Sequence, residues 1–159
     1  MKKLTLIFLT ILFCFTSNVG WSADKGLTAY NRGDYATALR VWTPLAKLGN
    51  ASAQYNLGWM YDRGKGVLQD YKTAVKWYTL AAEQGHANAQ NNLGVMYDRG
   101  KGVLQDYVRA HMWWNIAASS GDKDSVENRD SIAKEMSSSQ IETAQKLARE
   151  CVRKKYKGC

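Results

Sequence analysis

The sequence predicts an all-α solenoid of helix–loop–helix repeats, and an internal repeat is the main evidence for that fold. The twelve residues MYDRGKGVLQDY at 60–71 recur unchanged at 96–107, 36 positions further along the chain. Aligning residues 51–86 with residues 87–122 leaves 23 of 36 positions identical. The same supersecondary unit is therefore expected twice, with one copy stacked on the other.

The second helix of each unit is marked by an Asp-Tyr pair and, further on, by a glycine. Aspartate is a favourable N-cap, and glycine favours the left-handed conformation that ends helices. This frame occurs three times and predicts second helices at 35–48, 71–84 and 107–120.

The first helix of each full unit is predicted from apolar residues that recur every four positions. Gly58 and Gly94 fall inside these first helices, where glycine costs about 1 kcal/mol relative to alanine. We expect each glycine to allow a close approach between helices.

The pattern AxAQxxLGxMYxRGxGVxxDYxxAxxWxxxAAxxG, present at 51–85 and 87–121, resembles the Sel-one-like repeat, a relative of the tetratricopeptide repeat. The resemblance implies a right-handed α/α superhelix whose first helices line a concave surface. Residues 51–86 and 87–122 are the two full units, and residues 24–50 form a partial N-terminal unit. Residues 123–159 depart from the pattern and are expected to form C-terminal capping helices with a basic tail.

The N-terminal residues 1–23 are typical of a secretory signal peptide. Lys2 and Lys3 precede an apolar run of 12 residues at 4–15, shorter than the roughly 20 that span a bilayer as a helix. We therefore expect cleavage near Asp24, no membrane anchor, and a periplasmic or secreted bacterial protein.

Two cysteines, Cys151 and Cys159, remain after the predicted cleavage. An exported protein is oxidised outside the cytoplasm, so one disulfide is the favoured interpretation. Two free thiols or a metal pair are the alternatives.

The C-terminal tail is strongly basic within a chain of formal charge +8. Residues 146–159 hold six basic residues against Glu150 alone. An exported chain would meet anionic lipid headgroups, envelope polymers or acidic proteins, so nucleic acid is not an expected partner. A solvated helix end whose cations suit the helix dipole is the simpler explanation.

Differences between the two full units indicate which positions are free to contact a partner. On the first helix the differing positions are spaced three and four residues apart and share one face. These candidate partner-binding residues are Ser52, Tyr55 and Trp59 in one unit and Asn88, Asn91 and Val95 in the other. Tyr55 and Trp59 are suited to anchor an interface; alternatively, both only pack against the partial repeat.

On the second helix, Val108 and Met112 replace Lys72 and Lys76 of the preceding unit. The outer face of that helix is therefore apolar in the last repeat. We expect the closing helices to cover it.

No catalytic, metal or cofactor site is predicted. Ser131 and Lys134 have the spacing of the serine–lysine motif of penicillin-recognising enzymes, but the partner motifs Ser-Asp-Asn and Lys-Thr-Gly are missing. His86 and His111 are the only histidines, and neither has cysteine or carboxylate neighbours at zinc-ligand spacing.

The sequence favours an exported, non-enzymatic scaffold that holds a protein or peptide of the bacterial envelope in its concave groove. A peptidoglycan-binding or other glycan-binding module is the main alternative, because Trp59, Trp113 and Trp114 could stack on sugars. The repeat frame places Trp113 and Trp114 at core positions, which weakens that alternative. A β-lactam-interacting hydrolase depends only on the Ser131 motif.

Overall fold

The computed structural model describes residues 24–159, and that part of the chain is all-helical. The predicted signal peptide, residues 1–23, lies outside the described residues. Helix α1 is described over 24–31. The helices that follow are α2 (Tyr35–Lys47), α3 (Ala51–Arg63), α4 (Tyr71–Ala82), α5 (Ala87–Arg99), α6 (Tyr107–Ser119), α7 (Lys123–Ile132) and α8 (Ser138–Arg153), with a 3₁₀ turn at Ala133–Glu135. None of the helices within 24–159 is long and apolar enough to cross a membrane.

The helices form an α/α solenoid in which neighbours along the chain are neighbours in space. Each helix from α2 to α6 packs on the next one, and α6 also contacts α7 and α8. The three second helices α2, α4 and α6 begin directly after Asp34, Asp70 and Asp106. Each of these carboxylates accepts a hydrogen bond from a backbone N–H of the first turn, which confirms the predicted N-caps.

Gly58 and Gly94 lie where two helices of one repeat approach closely. A Cβ atom added to Gly58 would lie 2.6 Å from the ring of Tyr78 on α4. At Gly94 the added atom would lie within 2.7 Å of three ring atoms of Trp114 on α6. The close approach expected from these glycines is confirmed, because each one makes room for a buried aromatic ring.

Two buried glutamines join successive repeats. Gln54 Nε2 donates a hydrogen bond to the carbonyl of Ala46 at 3.0 Å, and Gln90 Nε2 donates to the carbonyl of Ala82 at 3.2 Å. Both acceptors lie in the last turn of a second helix, where carbonyls lack partners within the helix. Each of these carbonyls also accepts from a backbone N–H, that of Gly49 or Gly85, so the glutamine adds a second hydrogen bond that joins each first helix to the helix before it.

Helices α7 and α8 close the array, as expected. Met112 is 2 % exposed and belongs to the same core cluster as Ala148 and Cys151 of α8. Val108 packs in a second cluster with Ile141 and Ala144 of the same helix. The prediction that the closing helices cover the apolar outer face of the last repeat is confirmed.

The C-terminal tail turns back onto the preceding repeat. The backbone N–H of Gly158 donates to Glu83 Oε1 at 3.0 Å, and Tyr156 lies against Gly85. The sulfur atoms of Cys151 and Cys159 are at bonding distance, with their Cα atoms 5.5 Å apart. The tail is thereby fixed against α8.

Candidate partner-binding site

The candidate residues lie on α3 and α5 and are either exposed or half-buried. Ser52 and Asn88 are exposed, and each is the second residue of its helix. Tyr55, Trp59, Asn91 and Val95 are half-buried. We call the surface formed by the exposed edges of these two helices the α3–α5 face.

Trp59 occupies the junction between the partial repeat and the first full repeat. Its indole Nε1 donates a hydrogen bond to the hydroxyl of Tyr30 on α1 at 2.9 Å. The two residues, with Leu27, Tyr55 and Asn56 among their neighbours, line a cavity of about 170 Å³ that we call the aromatic pocket. Trp59 therefore packs against the partial repeat and still borders an open cavity.

Tyr55 is engaged with its own repeat and with the start of the next one. Its ring stacks on His86 with centroids 4.7 Å apart and lies 5.9 Å from the ring of Tyr78. Burial raises the pKa of the Tyr55 phenol and lowers the pKa of His86. His86 Nδ1 accepts a hydrogen bond from the backbone N–H of Ala89 at 3.4 Å, so this imidazole caps α5.

A second cavity, of about 310 Å³, lies at the junction of the two full repeats. Its charged lining residues are Asp62, Arg63, Arg99 and Lys101, and we call this cavity the cationic pocket. Val95 and Met96 contribute apolar surface to its lining. The guanidinium of Arg63 also lies 4.6 Å from the ring centroid of Trp59, so the two pockets adjoin across this pair.

Asn91 is already occupied by contacts within the array. Its backbone carbonyl accepts from Trp114 Nε1 at 3.1 Å, and its Oδ1 accepts from Asn128 of α7 at 3.4 Å. The capping helix therefore covers part of the predicted stripe on α5, and the accessible part of that stripe is Asn88 and the Val95 wall of the cationic pocket.

The aromatic residues proposed for sugar stacking divide into core and surface. Trp113 is 2 % exposed and Trp114 is 3 % exposed, which confirms the core positions given by the repeat frame. Trp59 alone of the three borders a cavity.

The residues considered for catalysis or metal binding lie apart from both pockets. Ser131 on α7 and Lys134 in the 3₁₀ turn are exposed. His111 is buried in α6, and burial followed by the charge of Arg129 lowers its pKa. Across residues 24–159, no three His, Cys, Asp or Glu side chains cluster to hold a metal ion.

Stacked helix pairs with a cavity at each junction define a helical repeat scaffold. Comparison with protein families identifies the repeat, because the family model for the Sel1 repeat matches residues 51–86 and 87–122. The chain is a Sel1-like repeat protein.

The solved structures that are similar to this chain include the following two. A protective antigen present in uropathogenic Escherichia coli strains, which displays an SLR fold, is 29% identical with a TM-score of 0.81; the match covers 87% of this chain and 31% of the antigen. A Sel1 repeat protein from Oxalobacter formigenes is 34% identical with a TM-score of 0.65; the match covers 67% of this chain and 44% of that protein. The chain therefore spans less than half of either structure. Comparison with curated proteins gave no match.

The cationic residues of the second pocket were not among the candidate residues. Arg63 and Arg99 are identical between the two units, as are Lys65 and Lys101, so the comparison of copies assigned them to the scaffold. A run of Arg-Gly-Lys-Gly after each first helix was the available signal, since it places two cations around a helix end.

Proposed function

We propose that this protein is an exported scaffold of the bacterial envelope that binds a protein or peptide partner along the α3–α5 face, with no catalytic step. The observation that carries the proposal is the pair of adjoining pockets at successive repeat junctions, one aromatic and one cationic. An extended segment crossing both junctions would place one side chain in each pocket, a mode in which a few well-placed anchors supply most of the binding energy.

Export and the redox state of the tail belong to the same proposal. The charged and apolar pattern of residues 1–23 supports secretion, and secretion supports a stable disulfide between Cys151 and Cys159. The short spacing of the two cysteines and their bonding distance are consistent with a tail that is closed outside the cytoplasm.

The test is capture of a partner by the purified protein from an envelope extract, run beside purified peptidoglycan sacculi. Trp59→Ala removes the wall shared with Arg63, and a Ser52→Glu/Asn88→Glu variant adds charge at two exposed positions of the face. A matched control places the same charges on the exposed surface of α8, as Thr143→Glu/Gln145→Glu. Circular dichroism first shows that every variant keeps the helicity of the wild type.

A discrete protein retained by the wild type and by the α8 control, but lost from both face variants, would support the proposal. Retention on sacculi that Trp59→Ala abolishes would instead favour the glycan-binding alternative, because Trp59 is the one candidate stacking residue that borders a cavity. A partner retained equally by all variants would refute binding at the α3–α5 face.

A further inference from the structure

The cationic pocket carries more positive than negative charge. Arg63, Arg99 and Lys101 line it, against the single carboxylate of Asp62. Asp62 is paired with Arg63 Nε at 3.5 Å, and its side chain is only 15% exposed. Within residues 24–159, neither Arg99 nor Lys101 belongs to an ion pair. Two cations at the rim are thus available to an anion from outside.

The backbone that carries these two cations has a defined conformation. Helix α5 ends at Arg99, and Gly100 adopts the left-handed conformation at φ 62°. The N–H of Lys101 then donates to the carbonyl of Met96 at 3.0 Å, and its ammonium lies 4.9 Å from the ring centroid of Tyr71. The backbone that carries both cations is therefore fixed by a helix terminus, and the Lys101 ammonium is also held on an aromatic ring, which lowers the cost of ordering it on binding.

The opposite wall is fixed by the loop of the first full repeat. Gln69 Nε2 donates to the backbone carbonyl of Asp62 at 2.7 Å, which ties the loop to the end of α3. The same contact recurs between Gln105 and Asp98 at 2.7 Å in the next repeat. This wall of the cationic pocket is therefore held by a hydrogen bond that both full repeats contain.

The aromatic and cationic pockets occupy equivalent places in successive repeats, and a few substitutions make them different. Trp59 and Val95 are 36 positions apart. Asn31 is the counterpart of Arg63 across the shorter loop of the partial repeat, because Gly26 lies against Trp42 as Gly58 lies against Tyr78. At the first junction the large indole makes the cavity small, and the lining, which includes Asn31, carries no charged side chain. At the second junction the smaller valine leaves a larger cavity, and arginine in place of asparagine adds positive charge.

We propose that the cationic pocket binds a carboxylate group of an acidic peptide segment. This assignment rests on the proposed function and names the class of partner. The partner is a peptide segment whose acidic residue enters the cationic pocket and whose nearby aromatic or apolar residue enters the aromatic pocket. The guanidinium of Arg99 offers a planar pair of donors that matches a carboxylate, and Val95 and Met96 contact the methylene groups that carry it. The fixed Asp62 carboxylate disfavours a doubly charged phosphate more strongly than a singly charged carboxylate.

The pocket can be tested directly with small probes. We would titrate the protein with N-acetylglutamate α-amide, N-acetylglutamine α-amide, N-acetylalanine and inorganic phosphate, and follow the methyl resonances of Val95 and Met96 by NMR. Either carboxylate probe should cause saturable shifts that the uncharged glutamine probe does not. Tighter binding of N-acetylglutamate α-amide would assign the carboxylate to a side chain, and tighter binding of N-acetylalanine would assign it to a chain terminus.

Arg99→Gln should weaken carboxylate binding about tenfold, the loss expected for one charge-assisted hydrogen bond. The control Arg40→Gln, on the exposed surface of α2, should bind like the wild type. Equal shifts with the glutamine probe, tighter binding of phosphate, or an Arg99→Gln variant that binds like the wild type would overturn the inference.

The outcome is separable from the fate of the proposed function. A partner captured equally well by the wild type and by Arg99→Gln, but lost from Trp59→Ala, would refute the carboxylate site and leave partner binding supported. Saturable carboxylate binding with no captured partner would support the pocket and count against the scaffold proposal.

Discussion

Substitution of Gly94 by alanine tests the packing between α5 and α6. The added Cβ would lie 2.5 Å from Trp114 Nε1 and 2.7 Å from its Cε2, far inside van der Waals contact. Trp114 is 3 % exposed, so its ring has little room to retreat. Any shift would also strain the hydrogen bond from its Nε1 to the carbonyl of Asn91, now 3.1 Å long.

The expected loss of stability is the sum of two costs and one gain. Overpacking a close-packed core costs roughly 1–3 kcal/mol, and loss of the indole hydrogen bond adds about 1 kcal/mol. Alanine has a higher helix propensity than glycine, which returns about 1 kcal/mol. We therefore expect Gly94→Ala to lower the free energy of unfolding by about 1–3 kcal/mol, measured by urea denaturation followed by circular dichroism.

The control is Asn88→Ala, an exposed position on the same helix, which should change stability by less than about 0.5 kcal/mol. The Gly94→Ala/Trp114→Leu double variant should be less destabilised than the sum of the single changes, because the smaller side chain relieves the overlap. A Gly94→Ala protein as stable as the wild type would refute close approach as the reason for this glycine.

Three further outcomes follow from buried polar groups and from the tail. Gln90→Leu should lower the free energy of unfolding by about 0.5–1.5 kcal/mol in urea titration, because the Ala82 carbonyl loses one of its two donors. Burial and Arg129 lower the pKa of His111 below 6.5, so the unfolded chain takes up a proton more readily. Stability should therefore fall as pH drops through 6.5 toward the folded-state pKa, and thermal melts of His111→Gln should show a weaker decline. A reducing agent should destabilise the wild type by about 2–3 kcal/mol by opening the short loop between Cys151 and Cys159, and should leave Cys159→Ser unchanged.

The repeat made most of the fold predictable from sequence. The Asp-Tyr pairs and the glycines after them gave the second helices to within two residues of their ends, and Gly58 and Gly94 indicated the close contacts. The capping box at the start of α8, formed by Ser137 and Gln140, is another local pattern, and both of its hydrogen bonds are present. These features are local or are repeated at a fixed spacing, so short segments of sequence suffice to find them.

The loops were harder to predict than the helices. Two adjacent apolar loop residues, Val67 and Leu68, would from sequence alone both be expected to cover the hairpin. That expectation is wrong for Leu68, which is 91% exposed, while Val67 packs against the core. Leu104, its equivalent in the next repeat, is 90% exposed. Successive residues of an extended loop point to opposite sides, so only one of the two apolar residues can face inward.

The site was less predictable than the fold, for two physical reasons. Contacts between elements far apart in sequence decided which candidates stayed accessible: Asn91 is bonded by Asn128 of the capping helix. In addition, comparing two copies detects only what differs, whereas the cations Arg63 and Arg99 are shared and acquire their role from the cavity between repeats. Shape between repeats is not encoded in either repeat alone.

Site-specific photo-crosslinking would show whether the α3–α5 face binds a protein partner in the cell. A photoreactive phenylalanine analogue would be placed at Ser52 or Asn88 on the α3–α5 face, and at Thr143 or Gln145 on α8, in the protein produced in its own cells. We expect a discrete crosslinked protein partner from the two positions on the α3–α5 face and none from the two positions on α8. Crosslinks of equal yield from all four positions, or none from the face while α8 gives a discrete product, would contradict this expectation.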